Sequence, residues 1–308
     1  MNESTTPTTK QFTGCASLAA IGVKLRELKL FEPIEQTVQI AQKTIKDRPT
    51  DKLYDALISM LAGAHGLVEI NTRLRADAAL QRAFGRSRCA EQSVVQDTLN
   101  ACTAENVEQM EEAMDTIYRQ HRQGSQHDYQ ASFQVLDVDM SGMPCGPKAA
   151  FATKGYFAKQ RNRRGRQLGR VLASHDGEIV VDRLFDGKTQ LTRALQPRLP
   201  AAEETLQLDE DKRRRTIVRV DAGGGSLDDV NWLLVRDYQV HCKDYSGKQA
   251  TRLASSVHDW YVDQELPERQ FGWVTEAADA YVRPVKRIAV RCRQQDGQWA
   301  YGVTVQPP

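Results

Sequence analysis

Beyond residue 130 the hydrophobic period of the chain falls from three-to-four to two. The segments then follow one order: strand-like ASFQVLDVDM, QLGRVLAS and EIVVDRL, helical TQLTRALQPRL, strand-like RTIVRVD, helical SLDDVNWLLVRD and strand-like YQVHCKD. No other feature restricts the fold as much. The first three strands, with Asp176 and Gly177 turning the second into the third, form an antiparallel meander. The closing strand, helix, strand series needs a crossover and therefore a parallel pair. The expected fold class is α/β of the mixed kind, one sheet with helices on its faces.

On either side of this core the pattern differs. After a polar tail (1–14), residues 15–125 carry helical periodicity, with Leu25, Leu28, Leu30 and Phe31, then Leu53, Leu57, Met60 and Leu61, recurring as on one helix face. DRPTDK breaks one helix and caps the next, and RQGSQHD is the expected boundary. The core is expected over 130–249. Residues 250–308 read as a β-rich unit built from DWYVD, FGWVTE, AYVRPV, RIAVRCR and QWAYGVTV. Six scattered cysteines without a CxxC pair argue against a zinc ribbon or a disulfide framework and for free thiols. No run of apolar residues is long enough to span a membrane, so no membrane partner is expected.

Two acids end predicted strands, Asp139 in FQVLDVDMSG and Asp221 in RTIVRVDAGGG. Carboxyl ends of strands are where open α/β sheets place their sites, and two converging carboxylates repel unless a cation lies between them. Hard oxygen ligands on rigid strands suit Mg²⁺ or Mn²⁺, with the glycines after Asp221 leaving room for a phosphate backbone. Each acid alone is as well explained as a turn former or helix cap, and Asp137, on the same face of its strand as Asp139, competes for the role of first ligand. His241 and Cys242 read as core or edge residues.

Net charge is only +2, yet TKGYFAKQRNRRGRQLGR gathers Lys154, Lys159, Arg161, Arg163, Arg164, Arg166 and Arg170 without an acid. Such a stretch neutralises phosphates, and Tyr156 and Phe157 within it are candidates for stacking on an exposed base. It lies between the first two predicted strands, and the alternative to nucleic-acid contact is a solvated hairpin loop. Arg213, Arg214 and Arg215 precede the strand that delivers Asp221, so both basic groups are expected to border the acids.

LDVDMSG, KGYFAKQRNRRGRQLGRVLA, RRRTIVRVDAGGG, NWLL and YQVHCKDYSGK, in this order, resemble bacterial insertion-sequence transposases of the DDE type, in the branch whose ribonuclease H-like core carries a β-strand insertion. The resemblance implies a helical DNA-binding domain, a ribonuclease H-like core and a β-rich insertion. It also implies metal-dependent cleavage of transposon ends followed by strand transfer, in a bacterial cytoplasm and near the nucleoid. Asp139 and Asp221 fall on the first two acids, as ligands of Mg²⁺ or Mn²⁺, and double-stranded DNA is the implied partner, with a homodimer left open. The third acid, a glutamate on a helix after the insertion, has no counterpart: Glu265 and Glu276 lie among β and turn signals. The expectation is therefore a C-terminally truncated transposase, catalytically incomplete, with a DNA-binding remnant or repressor of the full-length element as the alternative. A purely structural protein using the terminal β unit is the third reading.

Overall fold

The computed structural model describes residues 11–43, 46–157, 160–221, 225–243 and 247–308. The chain divides into two compact units, Met1–His121 and Arg122–Pro308. The first is helical: α1 (Ala16–Glu27), α2 (Glu32–Thr37), α3 (Pro49–Leu61), α4 (Ala78–Ala83), α5 (Gln92–Asn100) and α6 (Ala104–His121). Ile58, Ile70, Leu74, Leu80, Phe84 and Val95 form its core. Gly22 in α1 lies against the Phe84 ring, where a Cβ would come within 2.6 Å, so only glycine lets this helix approach.

The α3 helix forms where its period predicts, but it turns the other way. Leu53 and Leu57 are only half-buried and Met60 and Leu61 are exposed, while Lys52, Asp55, Ala56 and Ser59 face inward. The physical reason is a buried ion pair. The Asp55 carboxylate, fully buried, accepts hydrogen bonds from Arg86 Nε at 2.7 Å and from the Ala90 amide at 2.8 Å, and Lys52 Nζ donates to Gln42 Oε1 at 2.6 Å. Charge satisfied by a specific partner outweighs the transfer of two leucine side chains here.

The second unit is a mixed sheet with helices. In chain order it has β1 (Gln134–Pro144), β2 (Thr153–Phe157), β3 (Gln160–Ala173), β4 (Glu178–Asp186), α7 (Leu191–Leu206), α8 (Glu210–Arg214), β5 (Thr216–Val220), α9 (Leu227–Val235), β6 (Gln239–Lys243), α10 (Gly247–Ala254), β7 (Tyr261–Val262), β8 (Arg269–Trp273), β9 (Lys286–Arg293) and β10 (Trp299–Gln306). The strands run β2-β3-β1-β5-β6-β10-β9-β8-β7, with β4 also paired to β3. β1, β3 and β4 form the antiparallel meander, and β1, β5 and β6 are parallel. This is the mixed α/β arrangement expected from the order of elements. The buried side of the parallel strands carries Leu136, Val138, Val218, Val220, Val240 and Cys242, and the core also takes Leu195 and Leu199 of α7 with Val230 and Leu233 of α9.

Three local expectations fail. The basic stretch does not lie between strands: it folds as the β2–β3 hairpin, because β3 extends five exposed residues beyond its sheet-facing part, and strands exposed on both faces need no apolar alternation. Residues 247–254 form a helix, burying Ala250, Leu253 and Ala254 against Ala289 and Val303. AYVRPV forms bends rather than a strand, Pro284 lacking the amide a ladder requires. The β-rich strands continue the core sheet, since β10 pairs antiparallel with β6. Among the described residues no helix is long and apolar enough to cross a membrane.

Candidate active site

The site is built by register. In the parallel pair of β1 and β5, Asp137 lies beside Arg219 and Val138 beside Val220. The next positions are Asp139 and Asp221, both exposed. Each of the two acids therefore lies one residue past the last parallel pair, Val138 with Val220. β1 does not end there, as the sequence suggested, but continues to Pro144 paired with β3 alone; β5 stops at Val220, so the opening at Asp139 is where β1 loses its parallel neighbour.

The two acids of β1 have different employment. Asp137 is bound on three sides, by Arg219 Nε, by Arg219 Nη2 at 2.6 Å and by Ser174 Oγ at 2.6 Å. Burial pushes its carboxyl pKa up, and the Arg219 and Ser174 hydrogen bonds more than offset this, leaving it below the usual carboxylate value. Asp139 spends one oxygen on the amide of Met140 at 2.7 Å and projects outward. Asp137 is thus the support and Asp139 the carboxylate presented. Beside Arg219, on β6, His241 has its pKa lowered by burial first and by Arg219 second.

The row that holds the acids is flanked by cations. Arg170 of β3 stands opposite Asp139, and Lys243 ends β6 one residue beyond the Val220–Cys242 pair. By chemistry the donor set, two hard carboxylates, suits a Mg²⁺ or Mn²⁺ ion that keeps several waters. Among the described residues no group of three or more His, Cys, Asp or Glu is placed to hold a metal. Gly223 and Gly224 lie outside the described residues; Gly225 packs against β6, where a Cβ would come within 2.8 Å of the Lys243 carbonyl.

Of the basic residues, Arg164, Arg166 and Arg170 alternate along β3 on the Asp139 face, and Lys154 of β2 pairs opposite Arg164. Lys154, Arg161, Arg163 and Arg164 are exposed, and among the described residues no carboxylate pairs with any of them. Lys159 and the Tyr156 side chain lie outside the described residues. Phe157 is 1% exposed, so it is not a stacking platform. Arg213, Arg214 and Arg215 do not border the acids: they enter β5 from the opposite end, about 20 Å from Asp221 at the rise of a strand. Their guanidiniums are spent on the fold. Arg213 donates to the carbonyls of Arg236 and Leu208, Arg214 pairs with Glu210 and Asp211, and Arg215 donates to the Tyr129 carbonyl at 2.9 Å while lying 4.1 Å from the centre of the Phe133 ring.

One residue near the site left no sequence signal that was read. Arg198 of α7 is 1% exposed and reaches the underside of β1, with both terminal nitrogens at the limit of hydrogen bonding to the Asp139 carbonyl, 3.4 and 3.5 Å away. Burial lowers its pKa to about 10, against the pull of Asp139. Gly169 on β3 makes its room, since a Cβ there would overlap the guanidinium. A glycine inside a strand facing an arginine inside a helix was the available clue.

No protein-family model matches the chain, and no curated protein matches it. Among solved structures, the chain is similar to a piggyBac transposase synaptic complex with hairpin DNA, at TM-score 0.44 and 9% identity, covering 94% of this chain and 56% of that one. A pre-cleavage Mos1 transpososome is similar at TM-score 0.25 and 12% identity, over 74% of this chain and 78% of that one. The chain thus spans little more than half the length of the piggyBac transposase chain.

Proposed function

We propose that the chain is a DDE-type transposase polypeptide. In this reading it binds double-stranded DNA along the basic face of β2 and β3 and presents Asp139 and Asp221 to a divalent cation. The observation that carries the reading is the register of β1 on β5, whose last parallel pair, Val138 with Val220, stands one residue before each of the two carboxylates. A bound Mg²⁺ or Mn²⁺ would supply Lewis-acid stabilisation of charge on a phosphoryl oxygen. Asp139 and Asp221 would hold it. Arg164, Arg166, Arg170 and Lys154 would take the phosphates on the same side of the sheet, and Arg219 would keep Asp137 from competing for the ion.

Cleavage and strand transfer need a further carboxylate, which the described residues do not place near the pair. The bacterial insertion-sequence origin and the cytoplasmic, nucleoid-associated setting belong to the same proposal. Double-stranded DNA binding without chemistry is the second reading, favoured by the two-acid site. A labelled duplex incubated with Mn²⁺ separates them. Cutting by the wild type that disappears in Asp221→Ala and in Asp139→Ala supports an enzyme; binding that both variants retain, without cutting by any form, supports the DNA-binding remnant. Absence of salt-dependent DNA binding defeats both.

A further inference from the structure

The basic hairpin is held by a plug on its back side. Phe157 ends β2 and is almost fully buried, although residues 160–164 that follow it are all exposed. Its ring lies where four glycines from four segments meet. A Cβ would come within 2.9 Å of the ring at Gly142 of β1, 2.8 Å at Gly155 of β2, 2.8 Å at Gly165 of β3 and 2.9 Å at Gly187 just after β4. None of the four has a positive φ, so the backbone does not require glycine at any of them. What requires it is space: the ring is the nearest obstacle at Gly142 and Gly165, while at Gly155 and Gly187 it adds to backbone carbonyls that lie nearer still, those of Gly187 at 2.5 Å and Gly165 at 2.3 Å.

The faces are opposite. On β3 the odd-numbered Gly165 turns away from Arg164, Arg166 and Arg170, and on β1 Gly142 turns away from Asp139. The slot also marks a junction, since β4 pairs with β3 from Arg166 onward and β2 from Gly165 outward. An arm made of two strands beyond the last three-stranded level would pivot at this point unless something filled it.

From this geometry we infer that Phe157 is a positioning residue for DNA: seated in the four-glycine slot, it fixes the angle of the β2–β3 arm, and so the place of its arginines relative to Asp139. The inference rests on the DNA-binding reading above. The partner it serves is the phosphate backbone of a duplex, which an arm of exposed arginines with no carboxylate partner among the described residues recognises without reading bases.

The test compares wild type, Phe157→Ala, Phe157→Leu and an arm-charge variant with Lys154, Arg164 and Arg166 all changed to Ala. Binding to a fluorescent duplex is followed by anisotropy across a salt series, and amide hydrogen exchange over residues 153–165 is followed without DNA. Loss of three phosphate contacts flattens the salt slope by about 2 to 3, at ~0.9 per contact, and weakens binding at least about tenfold. Phe157→Ala, with every charge in place, is expected to reproduce most of that flattening and to speed exchange in the arm, with Leu intermediate. Intact tryptophan fluorescence separates this from general unfolding, and Leu serves if Ala unfolds. A wild-type slope in the Ala variant, or unchanged exchange, overturns the inference. If the arm-charge variant binds like wild type, the DNA reading of the arm fails, and faster exchange in Phe157→Ala then assigns the ring to the fold alone.

Discussion

Asp55–Arg86 in the helical unit and Asp137–Arg219 in the sheet unit are both bidentate aspartate–arginine pairs, and the two do different work. In the helical unit Asp55 is fully buried and Arg86 nearly so, with side chains 0% and 10% exposed. In the sheet unit Asp137 and Arg219 are 27% and 50% exposed, on a face whose next row holds the candidate ligands. The same two functional groups are a structural lock in one place and a screened support in the other. Solvent decides the difference: a buried charge that loses its partner keeps its desolvation cost, whereas an exposed one is taken up by water.

The largest effect should follow from breaking the lock. Asp55→Ala strands Arg86 in the interior with only Asp51 near it, at 3.2 Å, and frees the Ala90 amide, a loss of about 3 to 5 kcal/mol. The four tryptophans, Trp232, Trp260, Trp273 and Trp299, all lie in the second unit, so denaturation has two reporters. Far-ultraviolet circular dichroism should show an early helical transition while tryptophan fluorescence keeps its wild-type midpoint. A joint shift would mean that the units unfold together and that the comparison between the pairs cannot be made unit by unit.

The exposed pair should cost far less. Asp137→Asn keeps the shape and one acceptor, and the exposed Arg219 can turn to water, so the tryptophan transition should move by no more than about 1 kcal/mol. Mn²⁺ affinity should change little as well if Asp137 supports and Asp139 binds; an Asp137→Asn variant that loses Mn²⁺ while Asp139→Asn keeps it would reverse the assignment. Smaller still is the effect of the arginines at the far end of β5. Removing the charges of Arg213 and Arg215 should leave the salt slope of DNA binding unchanged, because their guanidiniums serve backbone carbonyls of the fold.

These contrasts also mark how far the residues alone could be read. The order of strands and helices from 131 to 243 carried the sheet, because hydrophobic period and crossover geometry are local rules with few solutions. That order also put the strands that carry Asp139 and Asp221 next to each other. The inward side of α3 was not legible: Leu53, Leu57, Met60 and Leu61 make the better apolar stripe, and only the position of Arg86, thirty-one residues from Asp55, turns the helix over. The arginines before β5 misled for a similar reason. Nearness to Asp221 in sequence becomes distance once an extended strand lies between, and their donors were claimed by carbonyls no pattern reveals. The Phe157 slot needs four glycines from separate segments, each unremarkable by itself.

The smallest effect is a pH dependence in the sheet unit, carried by His241 at the end of the Asp137–Arg219 row. Burial and the Arg219 charge hold its folded pKa below the ordinary 6.5, so the folded state takes up the proton later than the unfolded chain. As pH falls through about 6.5 the unfolded chain binds a proton that the native protein refuses, and stability declines until the folded pKa is passed; above that window His241 is neutral in both states and contributes nothing. Asp137 works against the shift, attracting the proton that burial and Arg219 oppose. Removing its charge should therefore deepen the loss: Asp137→Asn should show a larger drop in tryptophan-monitored stability between pH 7.5 and 5.5 than wild type, and His241→Gln almost none. The helical unit, whose Asp55 pair has no histidine beside it, should keep its circular-dichroism midpoint over the same range. An Asp137→Asn profile that matches wild type would show that the exposed pair does not reach even its nearest titrating neighbour on β6, and that water screens this row more completely than the half-buried geometry implies.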